Sequence, residues 1–471
     1  MRYVSTRGLA PSLDFVEVML AGLARDGGLY VPEQWPVLAD PDIAAFAGKS
    51  YAEVAVEVIR PFAGAALPEG ELLRLARAAY GTFRHPAVVP LAQVDANLFV
   101  AELFHGPTLA FKDLAMQLVA RMMDHVLRAR GERTTIVVAT SGDTGGAAVE
   151  AFRGREQVDV VVLFPHNRVS DVQRLMMTTA KDSNVHAIAV EGTFDDCQAL
   201  VKALFNHHAF RDRVKLSGVN SINWARIVAQ VVYYFTAAVA LGAPHRKLSF
   251  TVPTGNFGDI FAGYVASKMG LPVERLTVAT NVNDILARTL ATGVYEPREV
   301  VATSSPSMDI QVSSNFERLL FDAYGRDAAA VRGLMDALAQ SGRFEIAPSA
   351  LARIGELFAA GSTDEDETAA TIRTTLQEAG YFVDPHTAVA LSVAKRQPRD
   401  PAVPMVVLST AHAAKFPDAV EVACGVRPSL PDWLSDLTTR DEKMTVLPPD
   451  QAAIERFVLA VSRAAQEGVP A

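Results

Sequence analysis

From about residue 96 onward the chain reads as an α/β protein built on parallel sheets, preceded by a mainly helical N-terminal part. Two observations carry this reading. From Leu98, short β-branched runs alternate with helical stretches, the pattern of parallel strands covered on both faces. The 471 residues are too many for one compact core, which implies two or three domains.

Along residues 1–95, segments such as Glu53 to Ile59 and Gly70 to Tyr80 can line one helical face with apolar side chains. The first also alternates as a strand would. The polar opening Ser5-Thr6-Arg7 and the turn Asp26-Gly27-Gly28-Leu29-Tyr30-Val31-Pro32 stand out beside them. Strands are then expected at Thr134 to Ala139, Val158 to Phe164, Val185 to Val190, Leu248 to Val252, Leu276 to Ala279 and Met405 to Leu408. The longest apolar stretch, Ile227 to Ala243, is broken by Gln230 and Thr236. It falls short of the roughly 20 residues that span a bilayer and is expected to be a buried helix. The polar run Gly361 to Glu367 is expected to be a surface loop. The expected division is residues 1–95, 96–240 and 241–471, with segments exchanged between the last two.

Composition narrows the function. Half of the residues are hydrophobic and 21% are charged, an ordinary globular balance. A net charge of −9 without a long basic run disfavours nucleic acid as a partner. Two cysteines, Cys197 and Cys424, build neither a disulfide framework nor a metal cluster and suit a reducing cytoplasm. The opening residues lack the apolar core of a signal peptide. The expectation is a soluble cytoplasmic protein with no metal and no membrane partner.

Three stretches carry chemistry. Lys112 follows Leu109-Ala110-Phe111, with Gly106 and Pro107 bending the chain upstream. A lysine in apolar surroundings loses hydration of its charged form, and the free amine can form a Schiff base with a carbonyl. The ordinary alternative is a surface lysine opening a helix. Next, Thr140-Ser141-Gly142-Asp143-Thr144-Gly145-Gly146 and Thr254-Gly255-Asn256-Phe257-Gly258-Asp259 each join a strand to a helix. Backbone N–H groups at such a turn cradle an anion. The second is neither a Walker loop nor a G-x-G-x-x-G fingerprint, so a small phosphate ligand is expected rather than a nucleotide. The competing role for Asp143 or Thr144, and for Asp259, is a helix cap. Last, Ser409-Thr410-Ala411-His412-Ala413-Ala414-Lys415 follows a late strand, where ligands of parallel sheets gather. A reactive lysine, a phosphate cradle and a late hydroxyl together match pyridoxal 5'-phosphate.

These motifs, with Tyr3-Val4-Ser5-Thr6-Arg7-Gly8, His105-Gly106-Pro107-Thr108 and Asn220-Ser221-Ile222-Asn223, resemble the threonine synthases over almost the whole chain. The match is to their longer microbial and fungal subgroup, within the fold type II, tryptophan-synthase-β-like pyridoxal-phosphate enzymes. The resemblance implies two parallel-sheet α/β domains with the cofactor between them, plus the helical N-terminal domain. It implies a carbon–oxygen lyase that converts O-phospho-L-homoserine and water to L-threonine and phosphate, as a monomer or homodimer. Lys112 is implied as the catalytic and cofactor-linking lysine. Gly255, Asn256, Phe257, Gly258 and Asp259 are implied as the phosphate loop, and Thr410 as the partner of the ring nitrogen. Ser141, Gly142, Asp143 and Thr144 would receive the substrate. Shorter relatives carry Asn at the position of Asp143. For the substrate's own phosphate the candidates are Lys415, Arg226 and the turn ending at Asn223. The rival readings are a phospholyase or hydroxyamino-acid dehydratase of the same fold, and a non-catalytic cofactor-binding protein.

Overall fold

A computed structural model describes residues 1–398 and 400–466. Two sheets organise the α/β part. The larger runs Phe358–Ser362, Val273–Thr280, Leu248–Pro253, Met405–Ser409, Leu98–Glu102, Leu91–Asp95 in spatial order. It is parallel except for Leu91–Asp95, which pairs antiparallel with Leu98–Glu102. The smaller, all parallel, runs Thr445–Leu447, Val185–Val190, Val158–Pro165, Thr134–Ala139, Leu216–Ser217. Every residue of Val158–Pro165 is buried, as a central parallel strand with both faces covered requires.

Chain segments cross between the sheets. Leu98–Glu102 and Leu91–Asp95 lie early in the chain yet complete the sheet built from late strands, while the late strand Thr445–Leu447 edges the sheet built from early ones.

The N-terminal part holds the helices Phe15–Ala21, Asp40–Ala44, Tyr51–Ala63 and Glu69–Tyr80, and one two-stranded ribbon, Tyr3–Ser5 with Tyr30–Pro32. The ribbon is held by Asp26, whose carboxylate accepts from Ser5 Oγ at 2.8 Å and from the backbone N–H groups of Leu9, Ala10 and Gly28. A side chain at Gly28 would meet Ser5 Oγ at 2.3 Å, so only glycine lets the ribbon close.

The apolar stretch from Ile227 forms most of the helix Trp224–Ala240, buried on nearly all sides. It packs against Tyr51–Ala63, Lys112–Arg130 and Gly258–Lys268 in one continuous core. No helix among the described residues is long and apolar enough to cross a membrane. The run Gly361 to Glu367 is not a loop. Gly361 and Ser362 end an edge strand, and Asp364 caps Glu365–Ala379 by accepting from Glu367 N at 2.8 Å. Glu365, Asp366 and Glu367 occupy the first helical turn, where they complement the helix dipole.

Candidate active site

Four loops meet at the carboxyl ends of the parallel strands, where an α/β sheet gathers its ligands. They follow Leu98–Glu102, Thr134–Ala139, Leu248–Pro253 and Met405–Ser409. Together they line a cavity of about 820 Å³.

Lys112 opens the helix Lys112–Arg130 and is buried. The loop before it is tightly clasped. Asp113 accepts from both the N–H and the hydroxyl of Thr108 at 2.7 Å, and Leu109 takes a left-handed φ of 58°. The loop is then zipped to the segment carrying Thr410: Phe111 N donates to Thr410 O at 2.8 Å and His412 N to Leu109 O at 3.0 Å. Two sequence-distant chemical groups are thus fixed to each other by backbone. Lys112 Nζ lies 4.8 Å from the centroid of the Phe111 ring and 3.3 Å from Asp143 Oδ2. Burial pushes its pKa below the usual lysine value; Asp143 opposes this, while Lys415 and Arg226 reinforce it.

Asp143 begins the helix Asp143–Phe152 but does not cap it; the preceding Gly142 holds a φ of 138°, and Thr140 Oγ1 accepts from Gly142 N and Gly145 N at 2.9 Å. The freed carboxylate turns inward. Oδ1 meets Lys415 Nζ at 2.7 Å and Gln173 Nε2 at 3.0 Å. Burial penalises this carboxylate, yet the two lysines hold it well below the usual range.

The second glycine turn ends at Phe257, in a left-handed conformation (φ 62°), from which the helix Gly258–Lys268 starts. No side chain caps this helix start. The turn Gly255 to Asp259 lines the cavity, and a helix start without a side-chain cap offers N–H groups to an anion. Asn315 secures the turn by donating N and Nδ2 to Asn256 O at 3.1 and 2.9 Å, and Ser313 Oγ donates to Gly255 O at 2.7 Å. A side chain at Gly255 would meet Ser307 O at 2.6 Å. Asp259 does not cap the helix either: Oδ1 accepts from the hydroxyls of Tyr233 and Tyr234, and Oδ2 has no partner. Burial pushes this carboxyl up to about 7.

Of the predicted residues, Lys112, Ser141, Asp143, Thr144, Arg226, Gly255, Asn256, Phe257, Gly258, Asp259 and Thr410 line the cavity; Gly142, Asn223 and Lys415 do not. Asn223 is a helix cap, with Oδ1 accepting from Ala225 N at 3.0 Å and Nδ2 donating to Met19 O and Gly218 O. Lys415 is fully enclosed, and its Nζ also donates to Thr108 O at 2.8 Å. Arg226, in the first turn of Trp224–Ala240, donates Nη1 to Val219 O at 3.0 Å and leaves Nε without a partner. Among the described residues no carboxylate pairs with it.

Several lining residues were not predicted, Arg7 and His386 among them. Arg7 reaches the cavity while bonded through Nε and Nη2 to Glu317 at 3.1 and 3.0 Å. The flagged Ser5-Thr6-Arg7 opening was the available signal. His386 accepts from Ser307 N at 3.2 Å on Nε2, its Nδ1 meeting Asp384 Oδ2 at 2.6 Å. The run Asp384-Pro385-His386-Thr387 signals only a helix start.

The comparisons with known proteins agree along the chain. The family described as "Threonine synthase N terminus" matches residues 2–80, "Pyridoxal-phosphate dependent enzyme" matches 83–410, and "Threonine synthase, C-terminal" matches 387–458. A threonine synthase of Pseudomonas aeruginosa is 52% identical over 97% of this chain and 98% of its own. That of Saccharomyces cerevisiae is 40% identical over 94% of each. The crystal structure of pyridoxal-phosphate-bound threonine synthase from Brucella melitensis superposes with a TM-score of 0.96 at 62% identity, covering 98% of this chain and 100% of that one. The chain belongs to the threonine synthase family of pyridoxal-phosphate-dependent enzymes.

Proposed function

We propose that the cavity binds pyridoxal 5'-phosphate and converts O-phospho-L-homoserine and water to L-threonine and phosphate, the last step of threonine biosynthesis. One observation carries this: a buried lysine whose pKa burial lowers shares its cavity with an uncapped helix start and, separately, with an arginine that no carboxylate among the described residues neutralises. The cofactor's needs are met by groups present. Lys112 Nζ would hold its aldehyde carbon, the Gly255–Asp259 turn its phosphate, and the Thr410 hydroxyl its ring nitrogen. When bound, the cofactor would withdraw electrons from the substrate's α-carbon, which makes the α-proton labile and, once that proton has moved, a β-proton.

The protein's own residues do the rest. Lys112, displaced by the substrate amine, is the base that removes the α-proton and then a β-proton. Ser141 and Thr144, with the backbone of the turn through Gly142 and Asp143, receive the substrate carboxylate. Arg226 is assigned to the phosphate that leaves. Asn223 acts by fixing the start of Arg226's helix rather than by touching substrate. After phosphate leaves, a proton returns to the γ-carbon, water adds its hydroxyl at the β-carbon, and the α-carbon is reprotonated, giving threonine's methyl and hydroxyl groups. We place the enzyme in the cytoplasm, as a monomer or homodimer. Incubation with phosphohomoserine tests the reading: threonine and phosphate are expected in equal amounts, whereas a 2-oxo acid with ammonia would make the protein a phospholyase.

Two variants test the anion sites. A methyl at Gly258 would stand 3.4–3.6 Å from Asn315, Ile227 and Ser221, ordinary contacts that the fold accepts. Gly258→Ala should therefore leave the melting temperature of the cofactor-free protein unchanged while weakening cofactor affinity. Unchanged affinity, measured by fluorescence titration, would move the phosphate cradle elsewhere. Arg226→Met should lower kcat/KM for phosphohomoserine about tenfold to a hundredfold, the worth of a charge-assisted contact of about 1.5–3 kcal/mol. Cofactor affinity should hardly change. A variant that loses cofactor instead would assign Arg226 to the cofactor's phosphate.

A further inference from the structure

Three charged side chains lie together at Lys112, and the chemistry above uses only one of them. Asp143 spans two lysines, with Oδ1 2.7 Å from Lys415 Nζ and Oδ2 3.3 Å from Lys112 Nζ. Gln173 Nε2 adds a donor to Oδ1 at 3.0 Å. The site is built around this contact. A Cβ at Gly142 would meet Gln173 side-chain atoms at 2.3–2.6 Å, so glycine there admits the glutamine. Lys415 has no exposed surface, donates also to Thr108 O at 2.8 Å, and does not line the cavity. An ammonium so engaged does not reach a substrate.

We propose that Lys415 is a positioning residue whose standing ion pair with Asp143 supplies that carboxylate's counter-charge, leaving Lys112 free to be a neutral amine. The proposal rests on the reading of Lys112 as the cofactor lysine. Its logic is charge balance in a desolvated place. A buried carboxylate beside a single lysine would keep that lysine protonated, because the ion pair is the best state open to both. A protonated lysine is neither nucleophile nor base. With Lys415 present the Asp143 charge is already matched, and a proton on Lys112 would leave a net positive cluster.

The other charged groups around Lys112 are few. Arg226, from the helix Trp224–Ala240, disfavours its charge, and Asp259, from Gly258–Lys268, interacts with it as well. Asp113, one residue along, is spent on Thr108 and senses Lys415. The ring of Phe111 covers one side of the amine. Asp143 is thus the group whose full charge Lys112 would feel if Lys415 were lost.

The test is Lys415→Met, alone and with Asp143→Asn, in the full-length holoenzyme. In the single variant the carboxylate turns wholly to Lys112, and the acidic limb of kcat against pH, which reports the substrate-bound state in which Lys112 is a free amine, should rise by about 1–3 units, the reach of one close opposite charge. KM for phosphohomoserine at high pH should stay within about twofold of wild type. The double variant removes both charges, should return the limb to wild type or below, and serves if the single variant does not fold. A second readout needs no turnover: in cofactor-free protein, reductive methylation of Lys112 by formaldehyde and cyanoborohydride, followed by peptide mass, should show the same displacement. An unmoved limb overturns the proposal, as does a double variant that shifts as far as the single one. An unmoved limb with KM raised tenfold would return Lys415 to the substrate's phosphate. Borohydride mapping separates the two levels: cofactor fixed on Lys112 with an unmoved limb sinks this inference alone, whereas cofactor fixed on another lysine sinks the underlying reading too.

Discussion

Lys112→Ala is expected to lower phosphate release from O-phospho-L-homoserine by at least about 10⁴-fold, since acid–base catalysis by one group contributes up to about that factor and the covalent tether is lost as well. The fold should survive. Lys112 sits at the start of its helix, its Nζ makes one hydrogen bond, to Asp143, and that carboxylate keeps Lys415 and Gln173. Pyridoxal phosphate should still bind through the Gly255–Asp259 turn, but borohydride should no longer fix it to the chain. Added methylamine should restore part of the rate, because the missing function is an amine in a shaped space. In wild-type protein, peptide mapping should find the reduced cofactor on Lys112. A variant within tenfold of wild type, or a map that places the cofactor on another lysine, would refute the assignment.

Why this lysine was legible, and others were not, follows from the range of the signals. Each motif that lines the cavity is local: a strand, a turn rich in small residues, a helix start. Periodicity and glycine announce such units, and the parallel sheet brings their ends together. Thr134 to Ala139 and Val185 to Val190 have the predicted bounds for the same reason. What a charged side chain pairs with is decided by tertiary packing. Asp143 and Asp259 sit where caps sit, yet one turns to two lysines and the other to two tyrosines. Lys415 stands beside Thr410 in sequence, which suggested substrate, while the fold directs its Nζ to Asp143 and Thr108. Asn223 lies in a stretch that suggested a substrate contact, but its side chain closes backbone contacts to Met19 and Gly218. The charges of Glu365 to Glu367 looked like a solvated loop because a helix's first turn has the same composition.

Arg318 shows the same limit at its strongest, since nothing in its sequence surroundings marks it. It is wholly buried in the helix Phe316–Ala323. Its guanidinium donates to Tyr30 O at 3.0 Å, to Ile222 O at 2.6 Å and to Asn315 Oδ1, and lies 5.6 Å from the Trp224 ring centroid. One planar fork therefore joins the N-terminal ribbon, the Ser221–Asn223 turn and, through Asn315, the carbonyl of Asn256 in the Gly255–Asp259 turn. Arg318→Met would leave three acceptors without a donor. At about 1–3 kcal/mol for each buried group left unpaired, with partial relaxation, the loss should be about 3–5 kcal/mol. The expected result is a melting temperature lower by about 5–10 °C, together with weaker cofactor binding, because Asn315 loses the partner that orients it toward Asn256. Arg318→Lys should recover little of either, since a single ammonium cannot reach three acceptors set for a fork. Scanning calorimetry and cofactor titration on the same samples decide the point. A variant that melts lower yet binds cofactor as wild type would confine Arg318 to the ribbon and the turn, and the loop would then owe its shape to Ser313 and the backbone of Asn315 alone.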